Sequence, residues 1–189
     1  MSMNEFVHFS TGYLAGRALG YREYRFEALY TAVAAYSPDF DMQLQAFLPV
    51  FAHGIWTHTL VGVAGMSLVL SVAASAAMRL FRTPVPIHFR RLLGLALLGG
   101  TTHLLLDACT FYESQADATH HMYFWPVWNF PWHINTVFPG VTYSARVWVE
   151  VVYSVLVAFI ILLYQWAYRR QNPFRMFDPR GWFRQDISP

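Results

Sequence analysis

The sequence predicts an all-α, multi-pass integral membrane helical bundle, and three observations lead to this prediction. The chain has 189 residues, of which 56% are hydrophobic and only 13% are charged, whereas soluble domains carry about a quarter charged residues. The runs 58–81 and 147–168 each approach the roughly 20 apolar residues that a membrane-spanning helix needs. A third run of similar length, 92–111, is interrupted only by His103 and Asp107. We therefore expect three clear spans.

Two shorter apolar segments, residues 6–20 and 26–36, precede these spans and are joined by a turn. We expect them to form an N-terminal helical hairpin. Because a helix of about 12 residues rises only about 18 Å, a full crossing and a partly inserted hairpin both remain open. Residues 1–170 are predicted to form a single membrane-embedded domain. Residues 171–189, in which arginines alternate with aromatic residues, are predicted to form a tail at the cytoplasmic membrane interface.

The composition also excludes several classes of protein. A single cysteine, Cys109, excludes an intrachain disulfide and a cysteine-based zinc site. The N-terminal residues lack the basic region and the apolar core that are typical of a cleaved signal peptide. The net charge is only +2, and the arginines are too scattered for a nucleic-acid groove. Membrane lipids are therefore expected around the protein, and a nucleic acid is not.

The arginines predict how the bundle is oriented. With alternating helices, the arginine clusters within residues 17–25, 79–91 and 169–184 fall on one side, and only Arg146 falls on the other. The positive-inside rule makes the arginine-rich side cytoplasmic. We therefore expect a multi-pass protein of the inner (plasma) membrane with a cytoplasmic C-terminus.

Imidazole and carboxylate side chains collect at the predicted extracytoplasmic side. They come from four separate segments and are His8, Asp39, Asp41, His53, His58, His103 and Asp107. His103 and Asp107 are four residues apart and share one helix face, and ionisable pairs in membrane helices usually face a polar interior. His53 and His58, five residues apart, can share a site if one of them precedes the helix.

These side chains are the usual ligands of zinc, manganese and iron. Seven of them exceed what one ion needs, so we predict two divalent transition metal ions, with zinc favoured over manganese or iron. Metal coordination would also compensate for the cost of burying these charges. We expect either Asp39 or Asp41 to bridge the metals, with the other acting as a ligand or as the catalytic base.

The order of the motifs HxxxGYLAG, PDFD, HGIWTHT, HLLLDACT and FWP resembles the YdjM/YbcI-like family of membrane-bound, metal-dependent hydrolases. The resemblance runs from His8 to Pro126 and implies that the same seven histidines and aspartates form the metal site. It also implies a hydrolytic reaction. The chain departs from the family pattern at Gly54, which stands in place of an arginine, and at Thr59, which stands in place of a serine.

We accordingly expect a metal-dependent hydrolase that uses a metal-activated water. Because the site opens at the level of the lipid headgroups, the expected substrate is a lipid or lipid-linked phosphoester. Trp125, Trp128 and Trp132 are expected at that level, where they would hold an amphipathic substrate. The neighbouring loop histidines are interpreted as solvated residues: His120, His121 and His133. The alternative for His120 and His121, together with Asp117, is to add a metal ligand or to act as a general acid.

Two other functions are compatible with the same residues. A metal-ion or proton transporter would also carry His and Asp inside the membrane, although no second polar layer is expected toward the cytoplasm. A non-catalytic membrane protein with a structural metal is the other alternative, and an open coordination position would distinguish an enzyme from it.

Overall fold

Six α-helices make up most of the chain that the computed structural model describes, which comprises residues 5–19, 25–48, 53–83, 87–110, 121–128, 143–168 and 179–182. In chain order they are α1 (Glu5–Leu19), α2 (Arg25–Tyr36), α3 (Phe40–Gln45), α4 (Leu60–Leu80), α5 (Phe89–Ala108) and α6 (Tyr143–Leu163). Two short 3-10 turns, Ser37–Asp39 and Pro179–Gly181, and a π-helical turn, Tyr164–Tyr168, accompany them. These residues contain no strand, which confirms the all-α prediction.

Helix α2 lies at the centre of the bundle, where it contacts α1, α4 and α5. It is buried over nearly its whole length. Four of its buried residues are alanines: Ala28, Ala32, Ala34 and Ala35. Because these side chains are small, the neighbouring helices approach the backbone of α2 closely.

Glycines on α1 and α5 make these close approaches possible. A Cβ atom at Gly99 would lie 2.4 Å from the carbonyl oxygen of Thr31, and one at Gly12 would clash with α2 in the same way. Small residues at helix contacts are typical of packing in membranes. Each glycine is four residues from a predicted ligand, His103 and His8 respectively, so the same contacts fix the positions of these two ligands.

Buried polar pairs connect α2 with α4 and α5 away from the predicted ligands. The Arg91 guanidinium contacts the buried carboxylate of Glu27, with Nη2 donating to Oε2 at 2.7 Å. Nearer the middle of the bundle, the hydroxyls of Tyr30 and Ser71 are 3.0 Å apart. The expectation that no second polar layer follows the site is therefore wrong, because ion pairing and hydrogen bonding satisfy these groups inside the bundle.

Helix α4 presents apolar side chains outward. Four of these residues are at least half exposed: Val61, Leu68, Val69 and Val72. Among the described residues, α4 is the one helix that is long and apolar enough to cross a membrane, by length and composition, with a mean hydropathy of 2.0. Of the three predicted spans, α4 is thus a candidate span, and the membrane crossing of the other two stays a prediction.

The other two predicted spans form helices of similar length but differ in composition. Helix α5 carries Arg90 and Arg91 in its first turn and His103 and Asp107 near its end, which lowers its hydropathy. The apolar part of α6 is shorter and covers Val147–Leu163. Both helices nevertheless belong to the bundle, because α5 packs on α1, α2 and α4 and α6 packs on α1.

One part of the predicted interfacial tail contacts the bundle directly. The carbonyl oxygen of Trp182 accepts a hydrogen bond from the backbone N–H of Phe26 at 3.3 Å. Their rings are also in contact, with centroids 6.2 Å apart. The turn at Pro179–Gly181 therefore lies against the beginning of α2.

Candidate metal centre

The predicted pair on α5 is fully buried at the end of that helix. His103 Nε2 lies 3.1 Å from Asp107 Oδ2. The other ring nitrogen, Nδ1, lies 2.7 Å from the carbonyl oxygen of Ala35. Because a carbonyl group only accepts hydrogen bonds, Nδ1 carries the proton and Nε2 presents a lone pair toward Asp107. A backbone acceptor of this kind commonly orients a metal-binding histidine.

Helix α1 adds His8 to the pair from the opposite side. Its side chain is fully buried, and its ring stacks on that of His103 with centroids 3.8 Å apart. His8 Nε2 lies 3.4 Å from Asp107 Oδ1. The two oxygens of Asp107 therefore face different histidines, as they would in a carboxylate that bridges two ions or binds one ion with both oxygens.

Asp39 and His58 complete the buried group. Asp39 ends the 3-10 turn after α2, and His58 precedes α4, whose N-cap is Thr59. His58 Nε2 lies 3.3 Å from Asp39 Oδ1 and 3.5 Å from Asp107 Oδ2. His103 Nε2 is 3.7 Å from the same Asp39 oxygen. We refer to Asp39, His58, His103 and Asp107 as the inner group.

Asp41 lies on the other side of His58 and is held by many donors. Its Oδ1 is 2.7 Å from His53 Nδ1. Its Oδ2 accepts hydrogen bonds from the Gly54 N–H at 3.2 Å and from the Thr57 hydroxyl at 2.5 Å, and it lies 3.4 Å from His58 Nδ1. Asp41 thus orients two histidines. Both His53 and His58 precede α4, as their five-residue spacing requires for a shared site.

The carboxylates around His58 favour positive charge there. Burial alone would lower the pKa of His58, but the hydrogen bonds to Asp39 and Asp41 and the charge of Asp107 outweigh burial and raise this pKa to about 10. Burial likewise opposes ionisation of Asp41, but hydrogen bonds from His53, His58 and Thr57 hold its pKa far below the usual range. A bound cation would take the place of the proton on His58.

The spacing of the donor atoms fits a metal ion. Two ligands of a tetrahedral ion with bonds of about 2.0–2.1 Å lie roughly 3.4 Å apart. Contacts among the inner group span 3.1 to 3.7 Å, which is close to the edges of such a tetrahedron. Asp39 Oδ2 and His103 Nε2 are also buried with no hydrogen-bond partner among the described residues. Imidazole and carboxylate donors of this kind fit a divalent transition metal.

Three sets of donors within the described residues have ligand atoms within 4.8 Å of one another. They are Asp39, His58 and His103; His8, His103 and Asp107; and His53, His58 and His121. Six of the seven predicted ligands thus fall into such sets. Asp41 lies outside them, and its direct binding of a metal stays a prediction.

For His121, the sequence favours a solvated position over a place in the metal site. The interpretation of His121 as solvated is wrong, because its side chain is only 5% exposed and lies beside His53 and His58. No periodicity marks this residue, and only its place after the α5 motif points toward the site. His120 and His133 lie outside the described residues.

An apolar cavity of about 530 Å³ is lined in part by the C-terminal half of α5. Its walls include Leu60, Leu104, Leu105, Tyr123, Phe124 and Trp128. Among the predicted substrate-binding residues, Trp128 therefore lines this cavity, whereas Trp125 packs edge-on against Trp56 with ring centroids 4.9 Å apart. Trp132 lies outside the described residues.

Comparison with known proteins identifies the family. Searches among curated proteins and among solved structures found no significant match. A family model described as "YdjM inner membrane protein" matches residues 3–172, which includes all seven predicted ligands and both helices of the hairpin. The chain belongs to the YdjM inner membrane protein family.

Proposed function

We propose that the protein is a membrane-bound, metal-dependent hydrolase acting on an amphipathic phosphoester. The observation that carries this proposal is the inner group, in which four buried side chains from three segments meet at separations suited to one metal ion. An apolar cavity whose lining includes Leu104 and Ala108, the residues that follow His103 and Asp107, suits a substrate with a polar ester and a hydrophobic part. Zinc is the favoured metal, and manganese and iron are alternatives.

Different residues of the chain would have different roles in such a site. A bound divalent metal supplies Lewis acidity toward a phosphoester oxygen and makes water more acidic. His58, His103 and Asp107 would hold that metal, and the carbonyl of Ala35 keeps His103 in its binding orientation. Asp39 would accept a proton through Oδ2, which has no hydrogen-bond partner among the described residues. Asp41 positions His53 and His58 through the contacts to their Nδ1 atoms.

The apolar cavity supports the choice of an amphipathic substrate. Leu104 and Ala108 line it and are the next residues along α5 after His103 and Asp107. An acyl or isoprenoid chain in the cavity would therefore place its polar end beside the inner group. Trp128, which is largely exposed, would cover the outer part of that chain.

Hydrolysis should depend on the inner group. The zinc-loaded protein in detergent is expected to hydrolyse at least one member of a panel of phospholipids, isoprenoid phosphates and chromogenic phosphoesters. Asp39→Asn should lower kcat by at least about 100-fold, because loss of a general base typically costs a factor of about 10²–10⁴. His58→Ala should be similarly impaired. Release of phosphate or alcohol over time measures the rates.

His88→Ala is the matched control for these variants, because His88 is exposed and precedes α5 at its opposite end. It should keep the wild-type rate. Absence of turnover in the wild type, or equal turnover in the wild type and Asp39→Asn, would contradict the hydrolase proposal.

We also propose that the site faces the extracytoplasmic side and that the chain crosses the membrane several times. The arginines support this orientation, because Arg17, Arg79, Arg90 and Arg91 lie at the helix ends opposite to the site. The apolar exposed faces of α4 and α6 support insertion of both helices.

Cysteine labelling in whole cells tests the orientation. In a Cys109→Ser background, Ala118→Cys should react with a membrane-impermeant maleimide from outside the inner membrane. Phe81→Cys, at the opposite end of α4, should react only after the membrane is permeabilised. The reverse pattern would place the site on the cytoplasmic side.

Transport of a metal ion or a proton is a second candidate function, and the buried polar residues away from the site favour it. Glu27, Tyr30 and Ser71 extend the buried polar positions toward the other end of α2. Metal or proton flux into liposomes that contain the purified protein would support transport. Turnover of a phosphoester without flux would support hydrolysis instead.

A further inference from the structure

His121 lies beside two predicted ligands on the outer side of the inner group. The donor atoms of His53, His58 and His121 are within 4.8 Å of one another. The ring of His121 is 5.4 Å from that of His58 and 6.1 Å from that of His53, measured between centroids. We infer that these three histidines, the outer group, bind a second divalent transition metal ion. The inference rests on the proposed metal-dependent function and adds His121 as a ligand.

The hydrogen bond between His53 and Asp41 prepares His53 for this role. Because the carboxylate accepts, His53 Nδ1 carries the proton in the 2.7 Å contact with Asp41 Oδ1. His53 Nε2 then presents its lone pair, and this atom is buried without a hydrogen-bond partner among the described residues. A carboxylate behind a histidine is the common arrangement that orients a metal ligand and raises its basicity.

His58 separates the two groups because its ring nitrogens face different carboxylates. Nε2 lies 3.3 Å from Asp39 Oδ1, in the inner group, whereas Nδ1 lies 3.4 Å from Asp41 Oδ2. One side of the ring therefore faces the inner group, and the other faces the carboxylate that orients His53. The two ions would occupy neighbouring positions on the two sides of this ring, and His58 would bind both of them as an imidazolate, because a neutral imidazole has only one lone pair.

Gly54 provides the space that the His121 ring occupies. The glycine has a φ angle of +85°, which favours residues without a side chain. A Cβ atom there would lie 3.1 Å from both Cε1 and Nε2 of His121. A side chain at position 54 would thus compete with the proposed ligand for the same place, so the glycine and the histidine depend on each other.

The donor set predicts the chemistry of the outer ion. Imidazole donors suit zinc, and a zinc ion with three protein ligands keeps a fourth position for water or substrate. The inner group supplies two carboxylates in addition to two imidazoles. The ligands of the outer ion therefore carry less negative charge than those of the inner ion. The outer ion would keep more of its positive charge and would be better suited to attract the anionic oxygens of a phosphoester.

Metal titration of variants tests this inference in the full-length protein. Wild type in detergent, stripped with a chelator and titrated with zinc, should bind about two ions, as in two-metal sites. His121→Ala should bind the outer ion at least about 10- to 100-fold more weakly, and Gly54→Ala should act in the same direction. His88→Ala should bind like the wild type. Circular dichroism checks that each variant is folded.

A cysteine substitution distinguishes a ligand from a packing residue. In a Cys109→Ser background, His121→Cys should restore zinc binding, because thiolate is also a zinc ligand. Loaded with cobalt, this variant should show a thiolate-to-cobalt charge-transfer absorption that the wild type lacks.

The outcomes separate this inference from the proposed hydrolysis. Two ions in the wild type, with one lost in His121→Ala, would support the outer group even if no substrate were turned over. Equal zinc binding in wild type, His121→Ala and Gly54→Ala would overturn it even if the protein proved to be a hydrolase. Absence of the charge-transfer band in zinc-competent His121→Cys would also overturn it.

Discussion

Asp107→Asn should reduce the metal bound to the purified protein from about two ions per chain to about one. Asp107 faces His8 with one oxygen and His58 and His103 with the other, so this substitution alters the carboxylate that contacts three of the predicted histidine ligands. The asparagine keeps the shape of the side chain but replaces the charged oxygen pair by one neutral oxygen and an amide nitrogen that cannot bind a metal. Elemental analysis after zinc loading and desalting measures the loss.

The expected loss of metal affinity can be judged from substitutions that act on a metal ligand only indirectly. Loss of an outer partner of a metal ligand already costs about 10- to 100-fold in affinity, so loss of a ligand itself should exceed that range. Zinc at 100 times its Kd stabilises a folded protein by about 2.7 kcal/mol. Thermal unfolding of the wild type should therefore shift upward on adding zinc, and that of Asp107→Asn should shift much less.

His88→Ala serves again as the control, because it removes an imidazole at the other end of α5. His103→Ala is a less specific variant than Asp107→Asn, because His103 also donates to the carbonyl of Ala35 in the last turn of α2. A folded wild type that holds no metal after zinc loading would reject the metal centre altogether.

Gly99→Ala should destabilise the protein, whereas Gly94→Ala on the same helix should stabilise it. A Cβ atom at Gly99 would lie 2.4 Å from the carbonyl oxygen of Thr31 and 2.8 Å from the amide nitrogen of Ala35, both of which are backbone atoms of α2. A Cβ atom at Gly94 would have no heavy atom of the described residues within 4 Å. The same added methyl group would thus clash with backbone atoms at position 99 and meet open space at position 94.

The two substitutions should therefore shift the free energy of unfolding in opposite directions. Overpacking a tight contact costs about 1–3 kcal/mol, whereas replacing glycine by alanine within a helix gains about 0.5–1 kcal/mol. For chains of this size a change of 1 kcal/mol shifts Tm by about 2–4 °C. Thermal unfolding in detergent gives both values, and equal shifts for the two variants would show that α5 does not pack on α2 as described.

Gly99→Ala should also weaken metal binding, because it moves α5 away from α2. His103 follows Gly99 by one helical turn and is bound to Ala35 through a 2.7 Å contact. A displacement of a few tenths of an ångström would lengthen this contact and turn the imidazole. Gly94→Ala should leave zinc binding unchanged.

The helices and the meeting of the main candidate ligands could be predicted from the sequence because their signals are local. Apolar runs of the right length predicted α4, α5 and α6 to within a few residues, and the four-residue spacing predicted that His103 and Asp107 share a face. The arginines at one set of helix ends and the histidines and aspartates at the other predicted which side chains meet. Each of these inferences needs only helical geometry and the order of the segments.

Other features depend on packing that no local pattern encodes. The sequence gives Asp39 and Asp41 the same apparent status, yet Asp39 faces the inner group while Asp41 supports His53 and His58 from outside. The central position of α2 follows from glycines on its neighbours. The burial of His121 depends on the folded loop, in which the missing side chain of Gly54 leaves room for the imidazole ring.

The inner group also determines when during synthesis the protein can acquire metal. Its residues are spread from position 39 to position 107 and are interleaved with α4 and most of α5. A nascent chain that has passed only its first apolar helices into the membrane therefore has no complete set of donors. Under the proposed function, metal loading would follow the synthesis of α5, and fragments that end before it would carry histidines and aspartates with no ion to compensate them.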